Sequence, residues 1–257
     1  MRQLIVNKNP DKKGLVTIEG KDFHYLRQVL RVKAGDMVNL RLADGSLQNS
    51  TACKIDDQAK TITLQVYEGH DEPSNVIQFS LFQFIPKPQK FELIVRQATE
   101  CGIKNIFPVI SEYAQKGNVE ALYGKKIERL DRIIREARQQ SGSPVETRIF
   151  EPVTVVQAVE IWNEMKDYFE NQHKSAGFVL SERVPPESID ALSDLKRNKP
   201  QNVCIFCGNE GGISPDELEL LTQKARLRQV HFSVNILRCE TAALYGIAAV
   251  QSAILGM

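Results

Sequence analysis

The sequence predicts an α/β protein: a small N-terminal β-barrel, then a larger domain built on a mainly parallel sheet with helices on both faces. Three observations lead there. Residues 1 to about 72 read as short strands separated by turn residues, strand-like and helix-like segments alternate from residue 73 onward, and 257 residues exceed the usual size of a single domain.

In the N-terminal part the strand candidates are LVTIEG, DMVNLRLA, STACKI and TITLQVY, punctuated by Gly20, Gly35 and the Asp44-Gly45 turn dipeptide. One helical segment, FHYLRQVLRV, interrupts them, with Phe23, Leu26 and Leu30 on one face. His24, Arg27 and Arg31 repeat the same spacing and form an adjacent polar stripe, with no acidic residue between Phe23 and Gly35. Such a stripe suits a phosphate backbone, and equally a solvated face whose arginines pair with acids elsewhere.

The polar stretch HDEPSN, His70 to Asn75, reads as a linker. The second domain then runs VIQFSLFQFI, a helix near 89–101 ended by Gly102, NIFPVI, a helix near 120–139, TRIF and a helix near 154–169. AGFVLS, a helix near 187–197, VCIFCG, a helix near 215–226, QVHFSV and a final helix from about 240 complete it. On the helix near 125–138, Ile127, Leu130, Ile134 and Ala137 form the buried stripe, while Lys125, Lys126, Arg129, Arg132, Arg135 and Arg138 lie largely off it. RNA contact and a solvated, internally paired face are equal readings there.

Composition excludes several classes. With 42% hydrophobic and 25% charged residues the chain can bury a sizeable core, so disorder does not dominate. A net charge of +1 exerts no strong pull on phosphates, so any nucleic-acid binding must come from local basic stripes. The first residues lack the apolar stretch of a signal peptide and nothing approaches a membrane span, which predicts a cytoplasmic protein without a membrane partner. Five scattered cysteines fit a reducing compartment. Cys204 and Cys207 form a C-x-x-C, but on a strand residues three apart point to opposite faces; they are expected to be buried thiols, and no metal site is expected.

In open parallel sheets ligands collect where strands end in loops. The clearest such loop is Cys207-Gly208-Asn209-Glu210-Gly211-Gly212-Ile213, followed by Ser214-Pro215-Asp216-Glu217, a capping box that opens a helix. Its glycines let backbone approach a ligand but lack the spacing of phosphate-binding loops, and a plain structural turn is an equal reading. The second segment, Phe232 to Ala243, leads into a small-residue helix suited to core or subunit packing. Arg238 and Glu240 just before it must pair or face a ligand.

These two segments, CGNEGGISPDE and NILRCETAAL, resemble the paired motifs of the RsmE family of rRNA methyltransferases, whose usual forms are GPEGG and ILR-x-ETA. PKPQKFELIVRQATECGIKNIFPVIS resembles that family's Lys-rich helix ending in E-L-G, ERLDRIIREARQQSGSP its E-A-x-Q-S stretch, and HYLRQVLRVKAGD its H-x-x-x-V-L-R-x-x-x-G opening.

The resemblance spans essentially the whole chain. It implies a PUA-like RNA-binding barrel over 1–72 and a SPOUT methyltransferase domain over 73–257. A deep trefoil knot at about 176–257 would hold S-adenosyl-L-methionine (SAM), and the protein would usually be a homodimer. The implied substrate is uridine N3 of 16S rRNA in the small ribosomal subunit. Implied cofactor contacts are Leu180, Ser181 and Glu182; Gly208, Asn209, Glu210, Gly211 and Gly212; Phe232, Val234, Ile236 and Leu237; and Thr241 and Ala242. His24, Arg27, Arg31, Lys90 and Arg96 are the implied RNA contacts.

Uridine N3 carries a proton at neutral pH, so a site must help remove it or stabilise the anion. Arg238 is the candidate for that charge, with Glu240 its orienting partner or the proton acceptor; the plainer alternative is a pair that only fixes the loop. The chain departs from the family at Asn209 (usually proline), Cys101 (leucine) and Ser143 (arginine), and FSVN lacks the usual L-G. The alternative function is therefore a catalytically impaired RNA-binding assembly factor of the same fold.

Overall fold

The computed structural model describes residues 3–67, 77–168, 175–183, 192–193 and 195–256, except the side chains of 125 and 126. The chain forms two compact units, Met1–Ser74 with Arg138–Pro144, and Asn75–Ala137 with Val145–Met257. The linker expected at His70 to Asn75, the boundary at 72/73 and the side chains of Lys125 and Lys126 lie outside the described residues.

The first unit contains β1 (Leu4–Ile5), β2 (Leu15–Ile18), α1 (Gly20–His24), β3 (Met37–Arg41), β4 (Leu47–Asp56) and β5 (Thr61–Tyr67). They form a five-stranded sheet in the order β1-β3-β4-β5-β2. Only the β1–β3 pair is parallel. Alternate side chains such as Val16, Ile18, Val38, Leu40, Ile62 and Leu64 meet Phe23 and Leu26 in one core, as the period-2 pattern predicts. β1 is too short to read from the sequence.

The helical segment does not continue as one α-helix. A π-helical turn covers Tyr25–Val29, with the Leu30 amide donating to the Tyr25 carbonyl at 3.0 Å. Arg31 follows in the left-handed region at φ 56°, outside the helix. The expected stripe of His24, Arg27 and Arg31 is therefore broken, because the widened turn shifts every later residue off the 3.6-residue period. Arg27 is also engaged: Nε and Nη2 donate to the Asp57 carboxylate at 2.9 and 2.8 Å, and Nη1 to the Val32 carbonyl at 3.0 Å.

The second unit runs β6 (Gln78–Phe84), α2 (Pro88–Glu100), β7 (Asn105–Ile110), α3 (Lys116–Glu120), α4 (Lys125–Ser141, of which the residues from Arg138 on belong to the first unit), β8 (Arg148–Ile149), β9 (Val153–Thr154) and α5 (Val155–Tyr168). It continues with β10 (Ser175–Leu180), α6 (Leu195–Asn198), β11 (Asn202–Cys207), α7 (Pro215–Gln223), β12 (Arg228–Val230) and α8 (Cys239–Leu255). The sheet order is β12-β10-β11-β6-β7-β8, with β9 also on β7. Every pairing is parallel.

Helices cover both faces. α2, α4 and α8 pack over Leu81, Phe178 and Ile205 on one; α5 and α7 pack over Phe82, Val179 and Phe206 on the other. Burial on both faces explains the unbroken apolar run of Val203 to Cys207 in β11, a strand whose six residues, Asn202 included, are all buried. Cys204 and Cys207 accordingly enter opposite cores. Phe206, Phe82, Phe107 and Phe150 stack across four neighbouring segments with centroids 4.3, 4.6 and 4.4 Å apart, each contact adding about 0.5–1.5 kcal/mol beyond burial.

Three expectations shift. The helix near 120–139 is two, α3 and α4, separated at residues 121–124. QVHFSV is a strand only to Val230. Of the helix near 187–197, residues 187–191 and 194 lie outside the described residues, and 195–198 are helical. Among the described residues, no helix is long and apolar enough to cross a membrane.

Candidate active site

The carboxyl ends of β10, β11 and β12 open into one cavity of about 390 Å³, within the range of roughly 300–1,000 Å³ typical of small-molecule sites. Three loops build it. Leu180 ends β10 and Ser181 and Glu182 follow it, Gly208 to Gly212 follow β11, and Phe232, Val234, Ile236 and Leu237 follow β12, with Ala242 on the first turn of α8. The structure thus brings together all but one of the residues expected to hold a cofactor. Thr241 is the exception: it is exposed and its amide donates to the Arg238 carbonyl at 2.9 Å, closing the first turn of α8.

The glycine loop is held from below. Asn209 is 6% exposed. Its Nδ2 donates to Ser111 Oγ at 3.0 Å and to the Ile85 carbonyl at 3.4 Å, and its Oδ1 accepts from the Gly211 amide at 2.9 Å. Where the family's usual proline would stiffen the turn by its ring, this loop is tied by hydrogen bonds. Gly212 takes φ 79°, a conformation that disfavours side chains, and a Cβ there would sit 3.3 Å from Glu182 Oε1. The capping box is formed as expected. Glu217 does more: its Oε1 also accepts the Glu112 amide at 2.8 Å.

Glu240 is paired, but not with Arg238. Lys90 Nζ lies 3.3 Å from Glu240 Oε2 and 3.4 Å from Glu210 Oε1, and the Cys239 thiol donates to Glu240 Oε2 at 3.3 Å. The expected Arg238–Glu240 pair is not what forms: the Glu240 carboxylate meets Lys90, an α2 side chain expected to contact RNA, instead of its sequence neighbour. Burial raises the Glu240 pKa, but hydrogen bonds from its own backbone, the Cys239 thiol and Lys90 outweigh it, so the carboxyl sits below the usual range. Burial lowers the Lys90 pKa, and the surrounding negative groups more than reverse that. Burial, with the hydrogen bond to Glu240, pushes the Cys239 thiol up to about 12. Arg238 is exposed, its backbone capping α8. Arg96 is exposed on α2 and His24 on α1.

Sequence reasoning missed His231, which lines the cavity, and Gln83, a fully buried β6 residue whose Nε2 donates to the Cys207 and Gly208 carbonyls at 3.3 and 3.0 Å. A glutamine inside the apolar run VIQFSLFQFI was the available signal. No group of three His, Cys, Asp or Glu side chains that could hold a metal occurs among the described residues.

Residues 72–251 match the RNA methyltransferase domain family. The chain is 31% identical to ribosomal RNA small subunit methyltransferase E of Rickettsia conorii over 229 residues, covering 89% of this chain and 85% of that protein. It is 25% identical to the Bacillus subtilis protein of the same name, covering 91% and 89%. Its fold is similar to that of Neisseria gonorrhoeae ribosomal RNA small subunit methyltransferase E bound to S-adenosyl methionine, at TM-score 0.74, 20% identity and coverage of 98% and 97%.

Proposed function

The chain belongs to the RNA methyltransferase family of ribosomal RNA small subunit methyltransferase E, and we propose that it transfers a methyl group from SAM to N3 of one uridine in 16S rRNA. The observation that carries this reading is the single cavity formed by three loops at the strand ends, with the glycine loop as one wall.

The residues fit the cofactor. Glu182 and Glu210 line the cavity and, among the described residues, no lysine or arginine does, which suits a cationic adenosyl compound and disfavours a phosphate. Backbone at Gly208, Gly211 and Gly212 is available for close approach, and Leu180, Phe232, Ile236, Leu237 and Ala242 offer apolar surface. Ser181, Asn209 and Val234 complete the walls. When bound, SAM supplies an electrophilic methyl on a sulfonium.

What the chain contributes is positioning and charge. Arg238, at the start of α8 beside the cavity loop, stabilises the negative charge that develops on uracil as N3 loses its proton. Glu240, kept ionised below its ordinary range, is a weak proton acceptor; with Lys90 and Cys239 it fixes the turn that carries Arg238. His24, Arg31 and Arg96 contact RNA, and Arg27 does so only if it leaves Asp57.

The finer architecture belongs to the same proposal. The first unit is a PUA-like barrel, in line with its mainly antiparallel sheet. The second is a SPOUT domain with a trefoil knot; β10 lies between β11 and β12 in the sheet, and α8 returns across it, as the contact of Gly246 with Leu180 reflects. α8 leaves Tyr245 and Leu255 44% and 56% exposed, in keeping with a homodimer. A cytoplasmic location follows from an rRNA substrate.

The test is transfer of labelled methyl from SAM to small-subunit particles lacking the modification, mapped by primer extension. A stall at a single uridine is the expected result. Absence of both transfer and SAM binding would leave the non-catalytic assembly factor as the reading.

A further inference from the structure

Lys90 does not line the cavity, yet it reaches carboxylates on two of its walls. Glu210 belongs to the glycine loop after β11, and Glu240 to the first turn of α8, next to the cavity residues Cys239 and Ala242. The ammonium lies 3.4 Å from one and 3.3 Å from the other. Nearby, the Lys87 amide donates to Glu210 Oε1 at 3.2 Å, so the start of α2 grips this carboxylate twice. Side-chain exposures of 26%, 32% and 16% for Lys90, Glu210 and Glu240 put the cluster partly out of solvent. Without the cation, two partly buried carboxylates would face one another across the same space, and their repulsion would drive the walls apart.

We propose that Lys90 is a positioning residue of the cofactor cavity: it holds the glycine loop against the start of α8 by bridging Glu210 and Glu240. It acts through these two side chains and touches neither cofactor nor RNA. The inference rests on the SAM reading above and gives a different role to a residue expected to contact RNA. The two roles make opposite predictions. A clamp acts on SAM affinity, an RNA contact on RNA affinity.

Calorimetric titration of the full chain with SAM, and filter binding of a small-subunit rRNA fragment at fixed salt, separate them for wild type, Lys90→Met and Lys90→Arg. Lys90→Met should weaken SAM binding about tenfold, the loss expected for two partly screened ion pairs, and leave RNA affinity unchanged. Lys90→Arg should restore most of the SAM affinity, and high salt should weaken SAM binding to wild type more than to Lys90→Met. Circular dichroism at the titration temperature establishes that the variants are folded. If Lys90→Met is not, Glu240→Gln serves instead, since Glu240 is not a lining residue of the cavity, with a smaller weakening expected because the Lys90–Glu210 contact survives. Wild-type SAM affinity in a folded Lys90→Met, or loss of RNA affinity alone, overturns the clamp. A wild-type chain that binds no SAM overturns the functional reading on which it rests.

Discussion

Asn209 Nδ2 donates to Ser111 Oγ at 3.0 Å, joining the glycine loop after β11 to the segment after β7, 98 positions away in sequence. The same side chain accepts from the Gly211 amide, so one buried amide sets both the inner shape of the loop and its seat.

Asn209→Ala should therefore leave Ser111 and the Gly211 amide short of partners. A loss of about 1–3 kcal/mol in stability is expected from the unsatisfied buried groups, together with weaker SAM binding. Denaturant unfolding and SAM titration check the two effects; an unchanged unfolding midpoint would mean that the loop is held by its other contacts.

Arg238→Ala should lower kcat about 100-fold, the scale of a lost charge-stabilising group, while SAM affinity stays near wild type because Arg238 is not a cavity wall. Single-turnover methyl transfer with saturating SAM reads this directly. Full activity would reduce Arg238 to a cap for α8.

The Lys90–Glu240 pair gives stability a two-sided pH dependence. Glu240 has a depressed pKa when folded, so its contribution is complete above the unfolded carboxylate value and disappears as pH falls through the folded value. Lys90 has a raised pKa, so its contribution is complete below the unfolded lysine value and disappears as pH rises through the folded one. Between these limits the stability difference between wild type and Lys90→Met should be flat, and it should shrink at both ends of a urea-unfolding pH series.

Thiol reagent should label one cysteine quickly in the native chain. Cys53 is exposed, whereas Cys101 is half-buried and Cys204, Cys207 and Cys239 are buried, and burial raises the pKa of each of these four, leaving little thiolate to react. Cys53→Ser should abolish the fast phase. Fast labelling of Cys204, Cys207 or Cys239 would show that a core opens readily.

Gly246 faces Leu180 so closely that any Cβ would overlap its methyl groups. Gly246→Val should destabilise the chain by about 1–3 kcal/mol through overpacking. It should also weaken SAM binding, since Leu180 is a cavity wall. Urea unfolding and SAM titration of the variant measure both.

Much of this protein was determined by sequence pattern alone. Alternating strands and helices implied the parallel sheet because each element must bury one face. VCIFC placed Cys204 and Cys207 on opposite faces through the two-residue period of a strand, and Ser214 with Glu217 announced the start of α7 through a local hydrogen-bond exchange. The strand-end rule, sharpened by the family resemblance, located the three loops of the cavity. Other features required the tertiary structure. Glu240 found its cation in Lys90, 150 positions away, rather than in Arg238 two residues before it. Asn209 found Ser111, and the π-helical turn broke the stripe that ideal spacing assigned to Arg31. Local periodicity reports which way a residue faces; the partner of a charged or amide group is decided by what the fold brings within hydrogen-bond reach, and that distance is not written along the chain.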